Sequence, residues 1–299
     1  MIAMPGFQRP DAPSMHEASL AGAARPRRIL CCLLGGPTQR ATTEVAFDLA
    51  RGTGARLTGL SGAGLQPLAW RGPLPVGGAF WAEWLAARSR QRLRQDCAAS
   101  LDEFQAAAAC APEVEAVARH EEAAGEPLTR LLAGHDLAVL PAGIGPNGTP
   151  CEPGAEVTAS LARTRLLPVL RVRRRPLDVR SLVLLVGASP ACGVGAAGLL
   201  RSGLWPAAAV SVLPVADYRP GVAAGVTEQV DLLRRHGRKV TVLPSIELEF
   251  EAEELRRMLA HHQAAVVSCL SGRHGGFLDG VRNCAFETAA ETVPLLLLP

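Results

Sequence analysis

Two stretches of the chain share one pattern of apolar and polar positions. The apolar run Arg28-Ile29-Leu30-Cys31-Cys32-Leu33-Leu34 leads straight into Gly35-Gly36-Pro37. About 150 residues later, Ser181-Leu182-Val183-Leu184-Leu185-Val186 leads into Gly187-Ala188-Ser189-Pro190, the kind of self-similarity that marks two copies of one unit. The closing runs match as well: Leu167-Pro168-Val169-Leu170-Arg171-Val172 and Val293-Pro294-Leu295-Leu296-Leu297-Leu298, with Gly154 and Gly280 each fourteen residues before the proline.

Between these runs the period alternates between strand and helix. In the first copy, Thr42–Arg51 places Val45, Ala46, Leu49 and Ala50 at helical spacing, with Gly52 and Gly54 as the stop. Arg56–Ser61 reads as a strand, 65–79 as a Pro/Gly-rich insertion carrying Trp70, and Phe80–Ala109 as a long helix. Trp81, Trp84, Leu85, Leu93, Leu101 and Phe104 are its expected core positions. The insertion tryptophan, with Trp81 and Trp84, has a partner surface as the other reading. A strand at Glu113–Arg119, a short helix at Glu126–Ala133, a strand at Asp136–Leu140, a glycine-rich loop and a helix at Ala155–Arg163 precede the closing strand.

The second copy repeats this order with less in the middle. Strands are expected at Leu182–Val186, Ala209–Val215, Lys239–Leu243 and Ala264–Leu270, and helices at Gly195–Arg201, Thr227–His236 and Glu251–His262. Strands alternating with helices, several apolar on both faces, predict an α/β protein: two doubly wound, Rossmann-like parallel-sheet domains in tandem. The expected division is a disordered tail over 1–26, a first domain over 27–173, a linker over 174–178 and a second domain over 179–299.

Composition changes this picture little. Apolar residues are 48% and charged ones 20% of the 299, the balance of a soluble globular protein, and a net charge of +3 argues against nucleic acid as a partner. The densest basic run noted, Arg171 to Arg175, reads as a solvated linker. Arg88, Arg90, Arg92 and Arg94 divide between opposite helix faces and make no stripe. Eight cysteines include no C-x-x-C pair and no metal spacing with His. Cys31, Cys32 and Cys269 sit in apolar strands as small hydrophobes, the adjacent pair pointing to opposite faces. With no signal-peptide core and no apolar run of membrane-spanning length, a reduced, cytoplasmic location is expected.

In a doubly wound sheet ligands bind beyond the carboxyl ends of the strands, where strand order reverses. The loop there in the second copy is Ser271-Gly272-Arg273-His274-Gly275-Gly276-Phe277-Leu278-Asp279-Gly280, which opens a helix. Its glycines let backbone N–H groups approach a phosphate and Arg273 adds a cation, while His274 reads as an exposed loop histidine, with a phosphate ligand as the other reading. The first copy has Gly143-Ile144-Gly145-Pro146-Asn147-Gly148, then Glu152 and Pro153, which remove donors and repel anions. His261 and His262 are expected to meet terminal helix carbonyls. Ser271 lacks a G-x-S-x-G context, and Walker A, dinucleotide and paired-carboxylate signatures are absent.

Over residues 27–299 the pattern resembles the universal stress protein family in its tandem form, of adenine nucleotide alpha hydrolase-like fold. The resemblance implies an Asp at the end of the first strand contacting adenine, and a G-x-x-G, nine-residue, G-Ser/Thr loop cradling ATP phosphates. Gly272 and Gly275 match the G-x-x-G, and Ser189-Pro190 matches the end of the first loop. Leu34 and Gly187 stand in place of the Asp, Ala155 and Val281 in place of the Ser/Thr, and only four residues separate Gly275 from Gly280. The resemblance therefore implies degenerate sites: a non-enzymatic regulatory or interaction scaffold in bacterial stress response, with no resident cofactor and a protein partner of unknown identity. The other reading is an ATP-binding stress sensor using Gly187, Ser189, Gly272, Arg273, His274, Gly275 and Gly280. It also implies that the closing strands, Val169–Val172 and Leu295–Leu298, pair across a pseudo-twofold axis to make a pseudo-dimer within one chain, with a homodimer as the further option.

Overall fold

The computed structural model describes residues 25–62, 79–121, 132, 134–142, 167–173, 178–186, 195–216, 222–247, 257–268 and 293–298. The insertion over 65–78, nearly all of the helix expected at 126–133, both glycine-rich loops, the helix expected at 155–163 and Cys269 lie outside them.

The first half holds strands β1 (Arg28–Leu33), β2 (Arg56–Gly62), β3 (Ala116–Glu121), β4 (Leu137–Pro141) and β5 (Val169–Val172), with helices α1 (Gln39–Thr53) and α2 (Ala79–Cys110). The second holds β6 (Ser181–Val186), β7 (Ala209–Ala216), β8 (Val240–Val242), β9 (Ile246–Glu247), β10 (Ala264–Ser268) and β11 (Leu295–Leu298), with α3 (Gly195–Ser202) and α4 (Val222–Arg235). Hydrogen bonding joins them in the order β3-β2-β1-β4-β5-β11-β10-β6-β7-β8, while β9 pairs with β7. Both halves are doubly wound in the same order, with the reversal between β1 and β4 in one and between β6 and β10 in the other. Every described pairing is parallel except the central one, where β5 and β11 run antiparallel with Leu296 opposite Leu170 and Leu295 opposite Arg171. The closing strands thus meet as expected.

Burial follows the strand pattern. Ile29, Cys31 and Leu33 face a core shared with Val45, Ala46 and Ala50 of α1 and Phe104 of α2; Leu30 and Cys32 are buried on the opposite face. α1 starts three residues earlier than its apolar period implied. It also runs through Gly52, so Gly54 alone ends it, in the left-handed conformation with φ 69°. β3 begins at Ala116 and not Glu113, because 112–114 form a turn and Glu113 is drawn to Arg51. α4 starts at Val222, five residues before the expected Thr227. The two-residue β9 had no sequence signal; it lies beyond Pro244, which cannot donate to a ladder.

Two expectations are corrected. Trp81 and Trp84 are not core: they are 62% and 42% exposed, edge to face at 5.7 Å, with the Arg88 guanidinium 5.2 Å over the Trp84 ring. The face of α2 that meets the sheet is set by Cys97, Ser100 and Phe104, several turns further along. Arg171 is not part of a solvated linker; it is buried within β5 at the centre of the sheet.

Phe104 lies over Gly59 and against Phe47, ring centroids 5.2 Å apart. A Cβ at Gly59 would stand 2.8 Å from the Phe104 ring. Gly59→Ala is therefore expected to destabilise the protein by about 1–3 kcal/mol, as overpacking does. Gly52→Ala, in a helix with nothing within 4 Å of its new methyl, should be neutral or stabilising by about 0.5–1 kcal/mol. Urea unfolding of the two variants checks this, and equal effects would contradict it.

Candidate functional site

The place to look in the first half is the end of β1 and β4, where the strand order reverses. Among the described residues, side chains at the start of α1 turn into that crevice. Gln39, at the start of α1 and only 2% exposed, turns its carboxamide back onto the end of β1. There Oε1 accepts the backbone N–H groups of Leu34 and Gly35 at 3.0 and 3.1 Å, and Nε2 donates to Thr43 Oγ1 at 3.3 Å. One residue earlier, the Thr38 hydroxyl crosses the gap and donates to the Ala142 carbonyl, just past β4, at 2.8 Å. Ala142 N–H in turn donates to Val172 O at the end of β5, also at 2.8 Å. The Thr42 hydroxyl donates to Thr38 O at 2.8 Å and completes the stitch.

α2 closes the same end from above. Gly35 has φ 79°, and a Cβ on it would lie 2.7 Å from Asp96 Cβ, so this turn admits only glycine. At the end of β2 the buried Ser61 hydroxyl donates to the Cys97 carbonyl at 3.1 Å. Leu34, at the position where the resemblance implies an adenine-contacting Asp, is buried. Nor do the thiols below offer a nucleophile: burial pushes Cys32 up to about 12 and Cys31 further, so both stay protonated.

In the second half the sequence candidates Gly187, Ser189, Gly272, Arg273, His274, Gly275 and Gly280 all lie outside the described residues. What is described is the first turn of α3, where Ala196 N–H donates to Gln229 Oε1 of α4 at 3.0 Å. Gln229 is 1% exposed, and its Nε2 has no hydrogen-bond partner among the described residues. Gln39, Thr38 and Gln229 were missed in the sequence reading. Their signal was a polar residue on an apolar stripe: Gln39 with Ala46 and Ala50, and Gln229 between Val226 and Leu233.

The backbone N–H groups of His261 and His262 bond to the Met258 and Leu259 carbonyls, but the buried His262 Nδ1 has no partner among the described residues. Among the described residues no group of His, Cys, Asp or Glu could hold a metal ion, and no helix is long and apolar enough to cross a membrane.

Two tests follow from this geometry. Gln39→Leu would remove the acceptor shared by one buried and one part-buried N–H group and should cost about 1–3 kcal/mol in chemical unfolding, against little effect for the exposed Arg40→Leu. Burial, and next the neighbouring His261, hold His262 below the usual imidazole range. Its neutral form belongs to the folded state, so its contribution is intact above about pH 6.5 and is lost as pH falls further. The melting temperature should accordingly fall less steeply on acidification in His262→Gln than in the unsubstituted protein.

No family model matches the chain, and no curated protein does. Among solved structures, a universal stress protein from Archaeoglobus fulgidus aligns with a TM-score of 0.53 at 12% identity, covering 91% of this chain and 95% of that one. A functionally unknown protein from Pseudomonas aeruginosa aligns with a TM-score of 0.49 at 15% identity, covering 94% of each chain. At such identity the first likeness is one of fold: this chain is folded as a universal stress protein is.

Proposed function

We propose that this chain is a regulatory or interaction scaffold of the universal stress protein kind, acting in the bacterial cytoplasm in stress adaptation and carrying out no catalysis. The observation that carries this reading is the stitched crevice of the first half. Thr38 and Gln39 hold the backbone groups at the end of β1 and just past β4, and Leu34 stands where the resemblance implies an adenine-contacting carboxylate. A fold that fills its own ligand crevice keeps the sheet as a frame for presenting surfaces, and function then resides in what those surfaces bind.

A second reading, an ATP-binding sensor using the loop at Gly272, Gly275 and Gly280, has one observation in its favour. Gln229 Nε2 is a buried donor with no acceptor among the described residues, at the first turn of α3, the helix that follows the β6 loop. Calorimetric titration of the intact chain with ATP separates the readings. The scaffold is expected to give no heat up to millimolar ATP and no rise in melting temperature. Heat from a single site, abolished in Gly275→Arg, would instead establish the sensor, with about 2.7 kcal/mol of added stability at a hundred times the dissociation constant.

A further inference from the structure

The two halves can be superposed through their own hydrogen bonds, and the comparison exposes a difference in charge. Arg56 N–H donates to Arg27 O where Ala209 N–H donates to Arg180 O; Leu57 takes Glu115 O where Val210 takes Lys239 O; Asp136 N–H donates to Arg28 O where Gln263 N–H donates to Ser181 O. Position by position, then, Glu115 corresponds to Lys239, Asp136 to Gln263 and Arg56 to Ala209.

At the amino ends of its strands the first half is neutralised by carboxylates. Arg51 binds Glu113 at 2.6 Å and Asp48 at 3.0 Å, Arg56 binds Glu115 at 3.1 Å, and Asp136 accepts the N–H groups of Arg27 and Arg28. Among the described residues the second half has no counterpart of these acids at the matched positions. Lys239 replaces Glu115, and the neutral Gln263 caps Arg180 and Ser181 as Asp136 caps its own pair. Arg201, Arg234, Lys239 and Arg257 are all exposed there and form no ion pair among the described residues. Among the described residues, Asp178 is held by Arg180 at 2.6 Å, and Asp231 stands one turn before Arg235 at the end of α4. The four cations sit on the connections entering β7, β8 and β10, across three strand spacings or about 14 Å.

We propose that this amino-terminal end of the second half is the docking surface for an acidic segment of a partner protein, whose carboxylates supply in trans what Glu113, Glu115 and Asp136 supply in the first half. It lies at the opposite end of the strands from the glycine-rich loop and is independent of nucleotide binding. Carboxylates fit better than phosphates because α3 and α4 present their carboxyl-terminal ends here. Those ends offer no ring of N–H groups to cradle a phosphate, so attraction comes from the cationic side chains alone. The long side chains instead reach outward as separate cations, the arrangement that engages a run of Asp or Glu and sets its on-rate.

Fluorescence anisotropy of a labelled poly-glutamate peptide on the full chain tests this. Binding is expected at low salt, weakening as salt rises, and Arg234→Glu/Lys239→Glu should weaken it by roughly tenfold or more. The charge-matched control Arg40→Glu/Arg94→Glu, placed in the first half, should leave it unchanged. Ala209→Arg/Lys239→Glu transplants the Arg56–Glu115 pair into the second half. It should fold with an unaltered melting temperature yet lose peptide affinity, which separates loss of the surface from loss of the fold. Absence of peptide binding at low salt, equal loss in the control, or tighter binding of duplex DNA or phosphatidylserine vesicles would each overturn the proposal.

Discussion

The antiparallel pairing of β5 with β11 is the constraint on which the rest of the molecule depends. Val169, Leu170 and Val172 on one side and Leu295–Leu298 on the other are all buried. Each strand alone would be an apolar sheet edge, a template for uncontrolled association. Pairing them satisfies both rows of backbone groups and buries a leucine ladder worth about 1.5–3 kcal/mol per side chain. It also imposes a direction. Because every other described pairing is parallel, the strands of one half run opposite to those of the other. The carboxyl ends of the first half and the amino ends of the second therefore share one end of the sheet.

At that shared end the first half has resolved a problem that every doubly wound domain faces. The turn after its first strand exposes backbone N–H groups toward the crevice, and in a buried site each must find an acceptor. A ligand can supply one; here Gln39 does, its two accepted bonds coming from adjacent residues of the turn. Thr38 extends the same solution to the neighbouring strand through Ala142. Side chains that are part of the fold bind at a high effective concentration, so a weak external ligand competes poorly with them for these groups. The approach of Asp96 to Gly35 makes the closure steric as well as polar.

The fold was largely legible in the sequence because its cues were repeated. Apolar runs such as Leu182–Val186 and the matching closing strands each carried strand period and breaker glycines at the same spacing. Errors fell where local pattern and tertiary context diverge. Trp81 and Trp84 have the residue type of a core but sit on a part of α2 that does not reach the sheet. Arg171 has the residue type of a surface but occupies a strand whose both faces are covered. Gly52 looks like a helix stop, yet only Gly54 adopts the positive φ that ends α1. The site was less legible for the opposite reason: attention to glycine-rich loops draws the eye away from Gln39 and Thr38, ordinary polar residues whose meaning comes only from facing the end of β4.

Divergence between the halves then shows what each has been free to change. Val114, buried just before β3, corresponds to Arg238 just before β8, equally buried and held below the usual guanidinium range by desolvation. An apolar plug has become a charged one. It is tolerated because Arg238 donates to the Trp205 carbonyl, to Ala208 O at 3.3 Å and to Leu204 O at 3.4 Å, tying together the α3–β7 connection, in which Trp205 holds a φ of 47°. Backbone carbonyls can satisfy a guanidinium's donors without cancelling its charge. The positive field of the neighbouring Arg234 and Lys239 is thus reinforced from beneath and not neutralised. A half that needed only to fold would gain nothing from this, since the first half shows that the same connections close with valine and carboxylates. One acid-to-cation exchange at a matched position, Glu115 to Lys239, and one apolar-to-cation exchange, Val114 to Arg238, together shift this end of the second half toward positive charge.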